Sequence, residues 1–283
     1  MTVLRALCIP LIFALLPGAA TAQIKASVPS GDQGSYNPQL SAKEAVLVNW
    51  KLATSGILAG KYVADQVAQA APKDHAKLAA QAQFAAETML LRYASSYWLF
   101  AMDEALTPVQ GDVLRAAHLA SHTSCETGCD DQIATLQAAF AEASTAFDAA
   151  AQAAQRQAET RAVISDTAAL FELLTDMATY LESDAWHQNL SLAGLGLDGK
   201  EVSARVIGTL AVWRNIEPFV GLRSAEIDAA VNATSDRLLR DVRRNTRRKA
   251  DLPADSAEIA TIRTSAIAVA AELRRAAALF QEG

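Results

Sequence analysis

Residues 129–193 contain neither a glycine nor a proline, a run of 65 positions. Those two residue types are the strongest local punctuation a chain has, so such a run is committed to long regular structure. Alanine fills 61 of the 283 positions, and it gives up no side-chain entropy in a helix. With 51% hydrophobic and only 6% aromatic residues, the chain suits neither disorder nor a β-sandwich or barrel. The expected fold is all-α: an alanine-rich antiparallel bundle of about eight helices with no significant sheet.

Within the long run, Ile133, Leu136, Phe140, Ala143, Phe147, Ala150 and Ala154 keep a heptad-like register. The register is lost at Gln157 and Arg161. It resumes in a new phase at Ile164, Leu170, Leu174, Met177 and Leu181. A single helix would be roughly 100 Å long, too long for a compact domain, so a break near Ser165-Asp166 is expected. Ser41 with Glu44 makes a capping box for a helix over 42–71. Further helices are expected over 73–106, from Thr107-Pro108 to about 121, and over 201–215, the last ended by a turn at Pro218 and Gly221. Ser224 should cap 225–249, and Asp255 with Glu258 should cap a final helix ending near Phe280. Residues 189–200, with Gly194, Gly196 and Gly199, read as a linker.

The N-terminus reads as a secretory signal peptide over 1–22. Arg5 precedes an apolar run at 6–16, and Ala20-Thr21-Ala22 offers a cleavage site before Gln23. The expected compartment is the periplasm. Residues 23–41, with Pro29, Gly31, Gly34 and Pro38, form a flexible leader, and 42–283 a single helical domain with a candidate subdivision near 190–200. No later segment has about 18 uninterrupted apolar residues, so no transmembrane segment is expected. A formal charge of −6 gives no general attraction to nucleic acid.

The sharpest chemical constellation is His118, His122, Cys125 and Cys129. Two histidines four apart share one face of a helix, where a single metal ion could bridge them. Two cysteines in an exported protein favour a disulfide, here Cys125 with Cys129. A metal site using the histidines and the sulfurs is the alternative, and no other cofactor is implied. The C-x-x-x-C spacing, with no histidine after it, removes the c-type haem and thioredoxin motifs. Arg237, Arg240, Arg244, Arg247 and Arg248 share a helical face, with Arg243 and Lys249 nearby. That stripe is either a solvated face or a surface for an anionic partner. Met89, Tyr93, Tyr97, Trp98, Phe100 and Met102, with Trp50, Trp186 and Trp213 elsewhere, read as core, the alternative being the lining of an apolar ligand pocket between helices. Catalytic signatures such as G-x-S-x-G, H-E-x-x-H and the phosphate-binding loop are absent.

Trp213-Arg214-Asn215-Ile216-Glu217-Pro218-Phe219-Val220-Gly221-Leu222, followed by Ile227-Asp228, resembles a segment of the imelysin-like, iron-uptake-associated periplasmic helical proteins. The family's G-x-H-x-x-E motif is not in this chain. The resemblance implies a helical periplasmic protein that handles metal or haem. Composition and the missing catalytic motifs point instead to a non-enzymatic binding or accessory protein, with a protein partner or small ligand.

Overall fold

Serine opens four of the helices, and each time its hydroxyl accepts an otherwise orphaned backbone N–H. At Ser41 the box is reciprocal: its Oγ accepts from Glu44 N at 3.2 Å and its N–H donates to the Glu44 carboxylate at 2.7 Å. That contact with the Ser41 backbone, then the hydroxyl, holds the Glu44 carboxyl below the usual carboxylate range. Ser165, Ser224 and Ser256 accept from Ala168, Ile227 and Ile259. The structure, a computed structural model, describes residues 41–71, 75–100, 107–123, 129–183, 198–246, 253 and 255–281.

These residues form eight helices and no strand: α1 Ala42–Ala68, α2 His75–Phe100, α3 Thr107–His122, α4 Asp130–Ala162, α5 Asp166–Glu182, α6 Asp198–Arg223, α7 Ala225–Thr246 and α8 Ala257–Ala278. The chain is an all-α helical bundle, and residues 39–283 make one compact unit. The break in the long run falls where the change of phase placed it, between Ala162 and Asp166.

Four boundaries differ from expectation. α1 ends at Ala68, short of residue 71. No turn forms at Pro218 and Gly221; α6 passes through Pro218 to Arg223. A proline inside a helix removes one hydrogen bond and crowds the carbonyl four residues back. Here it lies close to the helix end, and the fully buried Ile216 and Val220 on either side hold the segment against the core. Ser224 makes the real break. Its N–H donates to Val220 O at 2.8 Å, while its carbonyl accepts from Asp228 N at 3.1 Å. The last helix is capped by Ser256 rather than Asp255. The linker after residue 189 ends sooner than expected, because α6 already starts at Asp198, where an acidic residue suits the helix dipole.

The helices close two rings that share α1. The first runs α1–α2–α3–α4 and back to α1; the second runs α1–α5–α8–α7–α6 and back to α1, with α6 also lying on α2. The antiparallel α1/α4 contact is the most extensive in the molecule. The whole first register of α4, from Ile133 to Ala154, is buried, as are Leu170, Leu174, Met177 and Leu181 of α5. Small residues bring the two axes together: an added Cβ at Gly60 would lie 2.9 Å from Phe147 Cζ. Gln137 of α4 donates to the Val67 and Ala70 carbonyls at 3.1 and 2.8 Å, supplying partners at the C-terminal end of α1. Met89 and Tyr93 are core residues as expected, with Trp50 and Trp213. The Tyr97, Trp98 and Phe100 side chains, with Met102, Trp186 and His187, lie outside the described residues.

Candidate functional site

Trp50 of α1 is fully buried, and its Nε1–H donates to Gln157 Oε1 of α4 at 3.3 Å. One turn on, the Arg161 guanidinium carbon sits 4.6 Å from the Trp50 ring centroid, within cation–π range. Two carboxylates of α5 hold it there, Glu172 at 2.9 Å and Asp176 at 2.6 Å. Burial pushes the Asp176 carboxyl above its usual range, against the opposing pull of Arg161. The loss of hydrophobic register at Gln157 and Arg161 is therefore the place where α4 hands over from apolar packing to a polar clamp on Trp50.

Beside this clamp lies a groove of about 540 Å³ along the α1/α4 seam. Leu47, Trp50, Leu58 and Ala158 give it apolar walls, and Lys51, Gln155 and Glu159 stand at it as polar groups. Leu58 remains 47% exposed. Gln155 Nε2 donates to Glu159 Oε1 at 3.0 Å, so that carboxylate already has a donor. Lys51 forms no ion pair among the described residues. Thr54 and Ser55 also line the groove, whose volume falls in the range of small-molecule sites. Sequence reasoning did not place the groove; its signals were the interrupted register of α4 and Trp50, one of the aromatics for which a ligand pocket between helices was the alternative to core.

Deeper along the same seam, Ser144 donates to Asp65 Oδ1 at 2.6 Å, and Lys61 pairs with Asp65 at 2.8 Å and Asp148 at 3.5 Å. Burial works to raise the Asp65 carboxyl, but the Lys61 and Ser144 hydrogen bonds outweigh it and hold it low.

His118 and His122 do share the exposed face of α3, with ring centroids 4.2 Å apart. Cys129 is buried just ahead of α4, while Cys125 lies outside the described residues. Among the described residues, no three His, Cys, Asp or Glu side chains gather as a metal-binding group. Arg237, Arg240, Arg243 and Arg244 are exposed on α7 and form no ion pair among the described residues. Arg247, Arg248 and Lys249 lie outside them.

The segment 213–228 folds into a polar knot where α6 meets α7. Trp213 Nε1–H donates to Asn232 Oδ1 at 3.0 Å, and Asn232 Nδ2 donates to Glu217 at 2.8 Å and Asp228 at 3.0 Å. Burial, then the neighbouring Glu217 charge, raises the Asp228 carboxyl above its usual range, with Asn232 opposing. A raised carboxyl holds its proton more tightly in the folded chain than in the unfolded one. Its contribution to stability is full at acid pH and is lost as pH climbs through the raised value. Asp228→Asn stays neutral and keeps an oxygen for Asn232. In urea unfolding it should stabilise by a few tenths of a kcal/mol at neutral pH, solvent screening included, with no gain at acid pH. A variant less stable than the parent at neutral pH would contradict this.

No family model matches the chain, and comparison with curated proteins and with solved structures finds no match. The likeness of residues 213–228 to the imelysin-like proteins thus rests on those residues alone. None of the described helices is long and apolar enough to cross a membrane.

Proposed function

We propose that this chain is an exported, non-enzymatic binding protein that takes a small, mostly apolar molecule with one anionic end in the α1/α4 groove. The groove's geometry carries the reading: apolar walls on two antiparallel helices, Lys51 as its cation with no ion pair among the described residues, and the Glu159 carboxylate already engaged by Gln155. An anionic end facing Lys51 complements that charge, and the apolar body takes the place of water on Leu47, Leu58 and Ala158.

Export is the second part of the proposal. It draws support from the signal-like residues 1–22 and from Cys129, whose sulfur is disulfide-bonded. Cys125 is the partner we assign, because it is the other cysteine of a chain that starts at Gln23. An oxidising compartment is where such a bridge persists.

The test uses 8-anilinonaphthalene-1-sulfonate, an aromatic body with one sulfonate, titrated into protein recovered from the periplasm. Recovered chains should have the mass of residues 23–283 less two hydrogens. The probe should show saturable one-site fluorescence enhancement. Ala158→Trp, which fills the groove, should weaken binding about tenfold or more, and Lys51→Glu several-fold, with helicity unchanged. Equal probe binding by Ala158→Trp and the parent would rule the groove out.

A further inference from the structure

We propose that His118 and His122 form a two-histidine chelate for a late first-row divalent metal ion, Cu(II) or Zn(II), on the exposed face of α3. The argument starts from the His122 tautomer. Its Nδ1 lies 2.9 Å from the His118 carbonyl oxygen, which can only accept, so Nδ1 carries the proton. The Ser121 hydroxyl donates to the same carbonyl at 2.8 Å. That leaves its oxygen to accept from the same Nδ1–H at 2.9 Å. With the proton fixed on Nδ1, the Nε2 lone pair of His122 is free to bind a metal. An imidazole anchored through Nδ1–H to a backbone carbonyl is the arrangement that orients metal-ligating histidines.

His118 stands one helical turn back, its ring 4.2 Å away centroid to centroid and tilted by 38°. At nitrogen–metal distances of about 2.0–2.1 Å, two rings this close reach one ion after small side-chain rotations. Of the other two histidines, His75 is taken up at Asp130, 3.3 Å away, and His187 lies outside the described residues. The Cys129 sulfur is held in a disulfide, so it supplies no thiolate. A donor set of two neutral imidazoles favours Cu(II) over Zn(II) and disfavours hard cations such as Mg(II) or Ca(II). No third carboxylate, histidine or cysteine completes the set among the described residues. Among the described residues the remaining positions are left to water or to a ligand brought by another molecule.

The experiment is calorimetric titration of CuCl2 and ZnCl2 into the full disulfide-bonded chain, with electron paramagnetic resonance of the Cu(II) complex. The parent should bind one equivalent of either ion, Cu(II) more tightly, and the resonance should show two imidazole nitrogens. His118→Ala and His122→Ala should each weaken binding about tenfold or more. Both side chains are exposed, so circular dichroism should show the helices intact. Absence of saturable one-equivalent binding, or binding undiminished in the double variant, overturns the proposal.

Discussion

Gly60→Val should be the most damaging single substitution at the α1/α4 seam, costing about 3 kcal/mol or more. An added Cβ meets the Phe147 ring at 2.9, 3.1 and 3.2 Å, and Phe147 is fully buried with nowhere to retreat. Overpacking of this kind typically costs about 1–3 kcal/mol for a small increment, and valine adds two methyls and a β-branch. Gly60→Ala sets two effects against each other: roughly 1 kcal/mol of gained helix propensity and the same clash in milder form. The clash should win by a small margin, since a buried ring cannot swing aside as a surface side chain would. Thermal unfolding of both variants, and of Gly60→Ala with Phe147→Leu, checks this. The double variant should recover stability that neither substitution predicts alone. If Gly60→Ala raises the melting temperature in the otherwise unchanged chain, the close packing of the two helices is wrong.

Trp50→Ala should cost about 3–5 kcal/mol, the usual range for emptying a large buried aromatic site. Three losses coincide: the packing of a fully buried indole, its hydrogen bond to Gln157, and the ring beneath Arg161. Trp50→Phe separates them. It keeps an aromatic face under the guanidinium and gives up the indole donor, so it should cost less than half as much. Guanidinium-induced unfolding of the two variants gives the comparison. A Trp50→Ala loss under about 1 kcal/mol would mean that the indole is not a core element of the seam.

Much of the bundle was readable because helix chemistry is local. The caps at Ser41, Ser165 and Ser224, the change of apolar phase at Ile164 and the buried face of α4 all follow from spacing along a helix of 3.6 residues per turn, whereas Ser256 was passed over for Asp255. The misplaced turn at Pro218 shows the limit of such reasoning. Proline reports a local cost, whereas the burial of Ile216 and Val220 is decided by neighbours far along the chain. The groove was hidden for the same reason. Trp50 and Gln157 are 107 positions apart, and only tertiary packing makes them partners. His118 and His122 were legible as neighbours, being one turn apart. The tautomer that Ser121 and the His118 carbonyl impose was not, because it depends on side-chain rotamers. Arg205, buried on α6 with its carbonyl accepting from Thr209 at 2.9 Å, drew no notice in the sequence, since arginine is usually read as surface.

The sharing of α1 between two rings sets an order on events as the chain is made and moved. α1 is the first described helix to emerge, and its first ring can close once α4 has appeared. Its other flank must wait for α5 and α6, the two helices of the second ring that lie on it, and that ring closes only when α8, the last of the described helices, joins α5 to α7. Through that interval an apolar strip of α1 faces water, a condition that invites aggregation or capture by a holdase. The helix on which both rings depend is thus the first of the described helices to be made, and it stays partly uncovered until α6 has followed it.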